Sequence, residues 1–286
     1  MELLLHAAVS GLILGLVYAL VALGLSFVWG VMDVVNLAHA EYLMLALYAT
    51  YWTWALGRID PTLTVPIVVP LFFLLGWLTY RVLIRRILRA SLVTQIFGTF
   101  GLLFFLRYTA FAAFGPDVRG FLGSGPGSVL LLGVPIASSK ITAALVSLAA
   151  FAGLALFLRR TKTGRALQAT AQNRDVALAL GIPAERMYAL SWGIGIASVG
   201  LAGALLFPFY QVSPTIGDAF ILIAFASVVL GGFGRVDGAL VGGVCIGLVE
   251  NVLGTMLLPT FKLLFVFAVF VLILLFRPQG LVGEPQ

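Results

Sequence analysis

The stretch from Val31 to Glu41 sets Asp33, Asn36, His39 and Glu41 between two strongly apolar runs. Asp33, Asn36 and His39 are three apart, so a helix would gather them in one polar stripe with Glu41 on another side. Carboxylate, amide and imidazole can pass a proton or bind a polar solute. In hydrocarbon such a stripe is costly, so it must face protein or a water-filled path. Two readings stay open: a cytoplasmic-side turn whose polar groups cap the next helix, or a pathway or gate. Arg107 and Glu250 interrupt apolar runs in the same way. Either they reach outward to the interface, or they pair with each other or line a vestibule.

Covalent and metal chemistry have no visible constellation. The chain contains no G-x-x-x-x-G-K-[ST], H-E-x-x-H or G-x-S-x-G, and only two histidines, His6 and His39. Its single cysteine, Cys245, cannot form an internal disulfide. No catalytic residue, metal site or cofactor of its own is expected, and no P-loop ATPase can reside in this chain.

The elements that position these residues are membrane helices. The 286 residues are 62% hydrophobic and 10% charged, with mean hydropathy +1.12, which excludes a soluble globule. About 20 apolar residues cross a bilayer core. The apolar runs predict spans near 7 to 29, 39 to 56, 64 to 84, 92 to 114, 140 to 158, 188 to 207, 219 to 231, 239 to 257 and 259 to 276. The seventh is too short for an ordinary span and is flanked by Pro208, Pro214 and Gly217, then Gly231, Gly232 and Gly234, so it reads as half-membrane or re-entrant. The fold class is an all-α membrane protein, a polytopic bundle of eight to nine transmembrane or re-entrant helices in one transmembrane domain, 1 to 286. The first run is longer than a signal-peptide core and lacks a basic n-region, so it reads as a retained span.

Net charge is +6, but its placement is more telling than its size. Ten of the 17 basic residues lie in two windows, Arg81 to Arg89 and Arg159 to Arg186, which marks both as cytoplasmic. The N-terminus is then outside, and the glycine-rich connection 115 to 139 is an outer loop. Nothing in the distribution calls for nucleic acid. Small residues recur at four-residue spacing, as Gly11, Gly15 and Ala19, Gly238 and Gly242, and Gly243 and Gly247. Such stripes allow close helix contact, or less commonly a dimerisation face.

The cytoplasmic segment 159 to 187 has helix-forming composition over Thr163 to Gln172. Asn173 or Asp175 can cap a second short helix, and Gly181 followed by Pro183 stops it. Leu167, Val176, Leu178, Leu180 and Ile182 make it either an amphipathic surface loop on anionic lipid or an element that fills a partner's groove.

The run from Gly11 to Val31, followed by Asn36-Leu-Ala-His39, resembles the opening of LivH-type permeases of branched-chain amino acid ABC transporters, whose pattern at the latter site is N-F-A-H-G. Leu37 and Ala40 depart from it. Gly164 to Pro183 is similar to that family's cytoplasmic loop against the ATPase, and Gly200-Leu-Ala-Gly-Ala-Leu-Leu, Val229 to Gly243, Gly247-Leu-Val-Glu250 and Arg277-Pro-Gln-Gly-Leu also resemble it.

The resemblance implies a permease subunit forming half of the path for branched-chain or related amino acids through a bacterial or archaeal cytoplasmic (inner) membrane. Its implied partners are a LivM-type permease, LivG- and LivF-type ATPases that bind ATP and Mg, and a periplasmic or lipid-anchored substrate-binding protein. Docking is carried onto Gly164, Arg165, Ala169, Asp175, Gly181 and Ile182, and a pathway or gate role onto Asn36 and His39. ATPase closure would push the docking helices, with the Gly/Pro breaks between 208 and 238 absorbing the motion. The family also implies possible urea or short-amide substrates. The rivals are an ion-coupled secondary transporter, an intramembrane enzyme using His39 and Glu41, and a channel.

Overall fold

A computed structural model describes residues 2–121, 127–131, 133–256, 259–277 and 279–282. Its main helices are α1 (Glu2–Met32), α2 (His39–Gly57), α3 (Val65–Thr79), α5 (Leu92–Phe114), α6 (Ser138–Arg160), α9 (Ala184–Leu206), α10 (Gly217–Gly231), α11 (Val236–Met256) and α12 (Lys262–Phe276). A π-helical turn, Tyr80–Ile84, and the short α4 (Arg85–Ile87) prolong α3, and Pro61–Thr64 precedes it as a 3₁₀ turn. Two short helices, α7 (Lys162–Gln172) and α8 (Arg174–Ala179), follow α6.

Each expected apolar run is helical, but not all nine are ordinary spans. Six helical stretches are long and apolar enough to cross: Glu2–Met32, Pro61–Ile87, Leu92–Phe114, Ser138–Arg160, Ala184–Leu206 and Val236–Met256. At 15 residues each, α10 and α12 extend only about 22 Å at 1.5 Å per residue. The expected eighth span reached residue 257, which lies outside the described residues, as do Gly123 and Gly125 of the expected outer loop.

The bundle is built around α1, whose residues from Val17 to Val28 are buried on every side. It crosses α11 backbone to backbone. A methyl group on Gly15 would stand 2.8 Å from Val244 Cα, and one on Gly11 2.8 Å from the Gly247 carbonyl. Gly238 and Gly242 meet Gly231 and Ser227 of α10 in the same manner. The glycine stripes are therefore consumed inside the chain, and the dimerisation reading of them is corrected.

The outer connection is more ordered than an all-α reading anticipates. Strands β1 (Ser128–Leu131) and β2 (Val134–Ala137) pair antiparallel, Val129 opposite Ile136. Val134 and Ile136 bury against Val9, Ile13 and Ala144, pinning the hairpin to the N-terminal half of α1. At the opposite end Arg85 bridges Glu185 at 2.8 Å, which brings the two basic windows onto one face.

Candidate functional site

Helix α1 stops at Met32 because Asp33 takes a left-handed conformation, φ 54°, which Asp tolerates better than most residues. Residues 33 to 36 are non-helical, and α2 begins at His39. The His39 imidazole meets the Val21 carbonyl at 3.0 Å, and Val21 lies about three turns before the end of α1. The chain thus turns back alongside α1, and α2 starts at its mid-height. The stripe expected of Asp33, Asn36 and His39 does not exist: Asp33 is exposed, while Asn36, at the end of the non-helical segment, and His39, at the start of α2, are wholly buried. The capping reading fails too, since Ala38 occupies the N-cap and no side chain caps α2.

A second helix starts at the same height. Tyr210, just ahead of α10, meets the Tyr18 hydroxyl at 3.1 Å, and Phe220 in the first turns of α10 sits edge-on to the Tyr18 ring. From there α10 runs toward the basic face, ending where Gly232 and Gly234 interrupt the chain before α11. A methyl group on Gly217 would come within 2.7 Å of Glu41 Oε1, so the first turns of α2 and α10 touch.

Arg107 of α5 closes this junction. One guanidinium nitrogen lies 2.5 Å from Glu41 Oε1 and 2.5 Å from Asp218 Oδ1, and the other lies 3.3 Å from Asp218 Oδ2. Both carboxylates belong to first helical turns, where a negative charge is favoured by the helix dipole. Exposure separates them: the side chain of Glu41 is 2% exposed, Arg107 13% and Asp218 62%. Among the described residues, both amide atoms of Asn36, Nδ1 of His39, Oε2 of Glu41 and Nε of Arg107 are buried without a protein partner. Buried polar atoms are rarely left so.

These contacts correct two expectations. Arg107 neither reaches to the interface nor pairs with Glu250; Glu250, 4% exposed, pairs with Lys262 at 2.8 Å. Asp218 escaped the sequence reading. Its signal was an acid directly after Gly217 at the head of the segment judged too short to cross. No group of three or more His, Cys, Asp or Glu capable of holding a metal occurs among the described residues.

Two cavities lie elsewhere in the bundle. The outer, about 530 Å³, is lined by Tyr51, Trp54, Phe121, Phe207 and Arg119 among others. Arg119 stacks over Tyr51 and Trp52, and its backbone pairs with Val212. The inner, about 840 Å³, lies between α1, α6, α7 and the start of α11.

The expected docking residues divide by burial. Gly164 is buried because α7 folds back onto the end of α6, and a methyl group there would collide with the Phe157 carbonyl and Leu158. Leu167 is fully buried as well, so it belongs to the core rather than to a partner's groove. Arg165, Asp175 and Gly181 are exposed, and Ala169 and Ile182 half-buried. Asn173, not Asp175, caps α8, accepting from the Asp175 and Val176 amides at 3.0 Å. Gly181, φ 79°, ends it with the Ile182 amide donating to Ala177 and the Gly181 amide to Leu178. Val176, Leu178 and Leu180 are left 55%, 44% and 73% exposed.

Broken helices meeting at mid-height inside a helical bundle, with ionisable groups at the breaks, are an arrangement that transport proteins use. Residues 7–274 match the permease component of the branched-chain amino acid transport system, and the chain belongs to that family. It is 31% identical to the high-affinity branched-chain amino acid transport permease LivH of Escherichia coli K12, over 97% of this chain and 94% of that protein. BraD of Pseudomonas aeruginosa, named for the same transport, is 29% identical over 99% of this chain and 96% of its own. A probable LivH of Methanocaldococcus jannaschii is 29% identical over 92% and 88%. No solved structure matches. As a member of this family the chain is a permease subunit of an ABC importer and a multi-pass membrane protein, a transporter component rather than an enzyme.

Proposed function

We propose that this permease passes branched-chain amino acids inward across the cytoplasmic membrane, beside a second permease of LivM type. ATP and Mg are held by separate LivG- and LivF-type subunits, and a periplasmic or lipid-anchored binding protein delivers the substrate. The observation that carries this reading is likeness along nearly the whole chain to relatives named for that transport.

The α7–α8 pair is the docking element. Its apolar face of Val176, Leu178 and Leu180, with Arg165 and Asp175 exposed nearby, supports a protein partner's groove as its cover. Gly164 lets α7 sit tightly on α6, so a push on α7 reaches a spanning helix. His39 anchors α2 to α1, and Asn36 marks the break beside it; both set the shape of the path. Only a difference in ATPase affinity for two permease states can drive the cycle. The breaks before and after α10 are where the tilt is taken up.

The experiment is co-purification with the neighbouring ATPases and binding protein, then ATP hydrolysis in nanodiscs across amino acids and urea. Stimulation by a loaded binding protein with leucine, isoleucine or valine is the expected result. Stimulation by urea alone would reassign the substrate, and transport on an ion gradient without an ATPase would overturn the importer.

A further inference from the structure

Asp218 stands in an unexpected place. Its side chain is 62% exposed at the mid-height of the bundle, where a carboxylate facing lipid would be costly. The face of α5 and α10 that bears it therefore opens onto water or polar protein in the assembled transporter. Glu41, by contrast, is 1% exposed and enclosed by the start of α10. Arg107 thus has one fixed counter-ion and one replaceable one.

We propose that Arg107 and Asp218 form the contact for the two charged ends of an α-amino-acid zwitterion as it crosses. The ammonium group goes to Asp218 and the carboxylate to Arg107, and together they take the place of the direct Arg107–Asp218 pair, while Glu41 keeps the guanidinium aimed. One ion pair becomes two, and no net charge moves into the low-dielectric interior. The unpartnered buried Nε of Arg107 and Oε2 of Glu41 supply a spare donor and a spare acceptor at the same point. Phe104, about one turn before Arg107 on α5 and 37% exposed, offers an apolar neighbour for an aliphatic side chain. An uncharged solute such as urea offers no charges to replace those it would separate. The inference rests on the importer reading and narrows it to zwitterions.

The test uses the complete importer in proteoliposomes, with leucine uptake and binding-protein-stimulated ATP hydrolysis read on the same preparation. Asp218→Asn leaves Arg107 neutralised by Glu41 and strands no buried charge, so the complex should assemble. It is expected to hydrolyse ATP on stimulation while leucine uptake falls by about tenfold or more. Asp218→Glu, which keeps a carboxylate, should stay within a few-fold of the parent. A neutral triad, Glu41→Gln with Arg107→Met and Asp218→Asn, separates recognition from support: an ion cluster that only holds α2, α5 and α10 together would regain uptake when all three charges go. Restored uptake in that triad, or parental uptake in Asp218→Asn, overturns the inference. A parent complex without stimulated hydrolysis would refute the importer reading instead.

Discussion

His39 Nε2 lies 3.0 Å from the carbonyl of Val21, so the first residue of α2 is fastened to the middle of α1 and not to its end. This contact is one of those that fix the height at which α2 begins and with it the height of Glu41. Removing it should therefore disturb more than one hydrogen bond.

His39→Leu fills the space but cannot donate. A net loss of about 0.5–1.5 kcal/mol is expected from the hydrogen bond. Thermal unfolding in detergent should show a lower midpoint, with His39→Gln intermediate. Transport should fall further than stability alone dictates, because the α2 break shifts relative to Arg107. Equal uptake by His39→Leu and the parent at matched protein levels would remove His39 from any positioning role.

Leu180→Glu and Leu167→Glu should behave oppositely. Leu180 is 73% exposed, so a charge there spares the fold and should abolish co-purification with the ATPase. Leu167 is fully buried between α7 and the spanning helices, and an unpaired carboxylate in that position costs several kcal/mol. That variant should not yield a monodisperse permease at all. If Leu180→Glu retains the ATPase in pull-downs, the docking face is wrongly placed. Charge reversal at Arg165 should likewise uncouple hydrolysis from uptake without loss of the permease.

Lys262→Met leaves Glu250 buried without its cation. Lys262 is 48% exposed on its side chain, which moderates the loss to about 1–3 kcal/mol. The double change with Glu250→Gln should recover most of it. A double-mutant cycle on unfolding midpoints measures the coupling; additive losses would mean that the pair is incidental.

Gly247→Leu drives a side chain into Gly15 and Gly11 of α1. Overpacking of this kind costs about 1–3 kcal/mol, and here backbone, not a flexible side chain, stands in the way. Fluorescence-detected size exclusion should show loss of the folded peak. Gly153→Leu, where a Cβ meets nothing within 4 Å, is the contrasting substitution and should be tolerated.

The sequence by itself determined that the chain is a helical membrane protein, which runs are apolar, which segments carry the basic windows, and that a short helix lies ahead of Gly181. Those properties follow from local chemistry: hydropathy, Arg placement, an Asn cap and a left-handed Gly181 act within a few residues. The resemblance to LivH-type permeases was legible because its motifs are contiguous. Tertiary structure alone decided that Asp33, Asn36 and His39 part company, since a helix and a returning extended segment have similar sequences until α1 is there to supply the Val21 carbonyl. It also decided that Arg107 chooses Glu41 and Asp218 over Glu250, residues 66 and 111 positions away. No spacing rule reaches that far; the meeting is produced by two helices that start at one height, α2 tied to α1 at Val21 and the start of α10 at Tyr18.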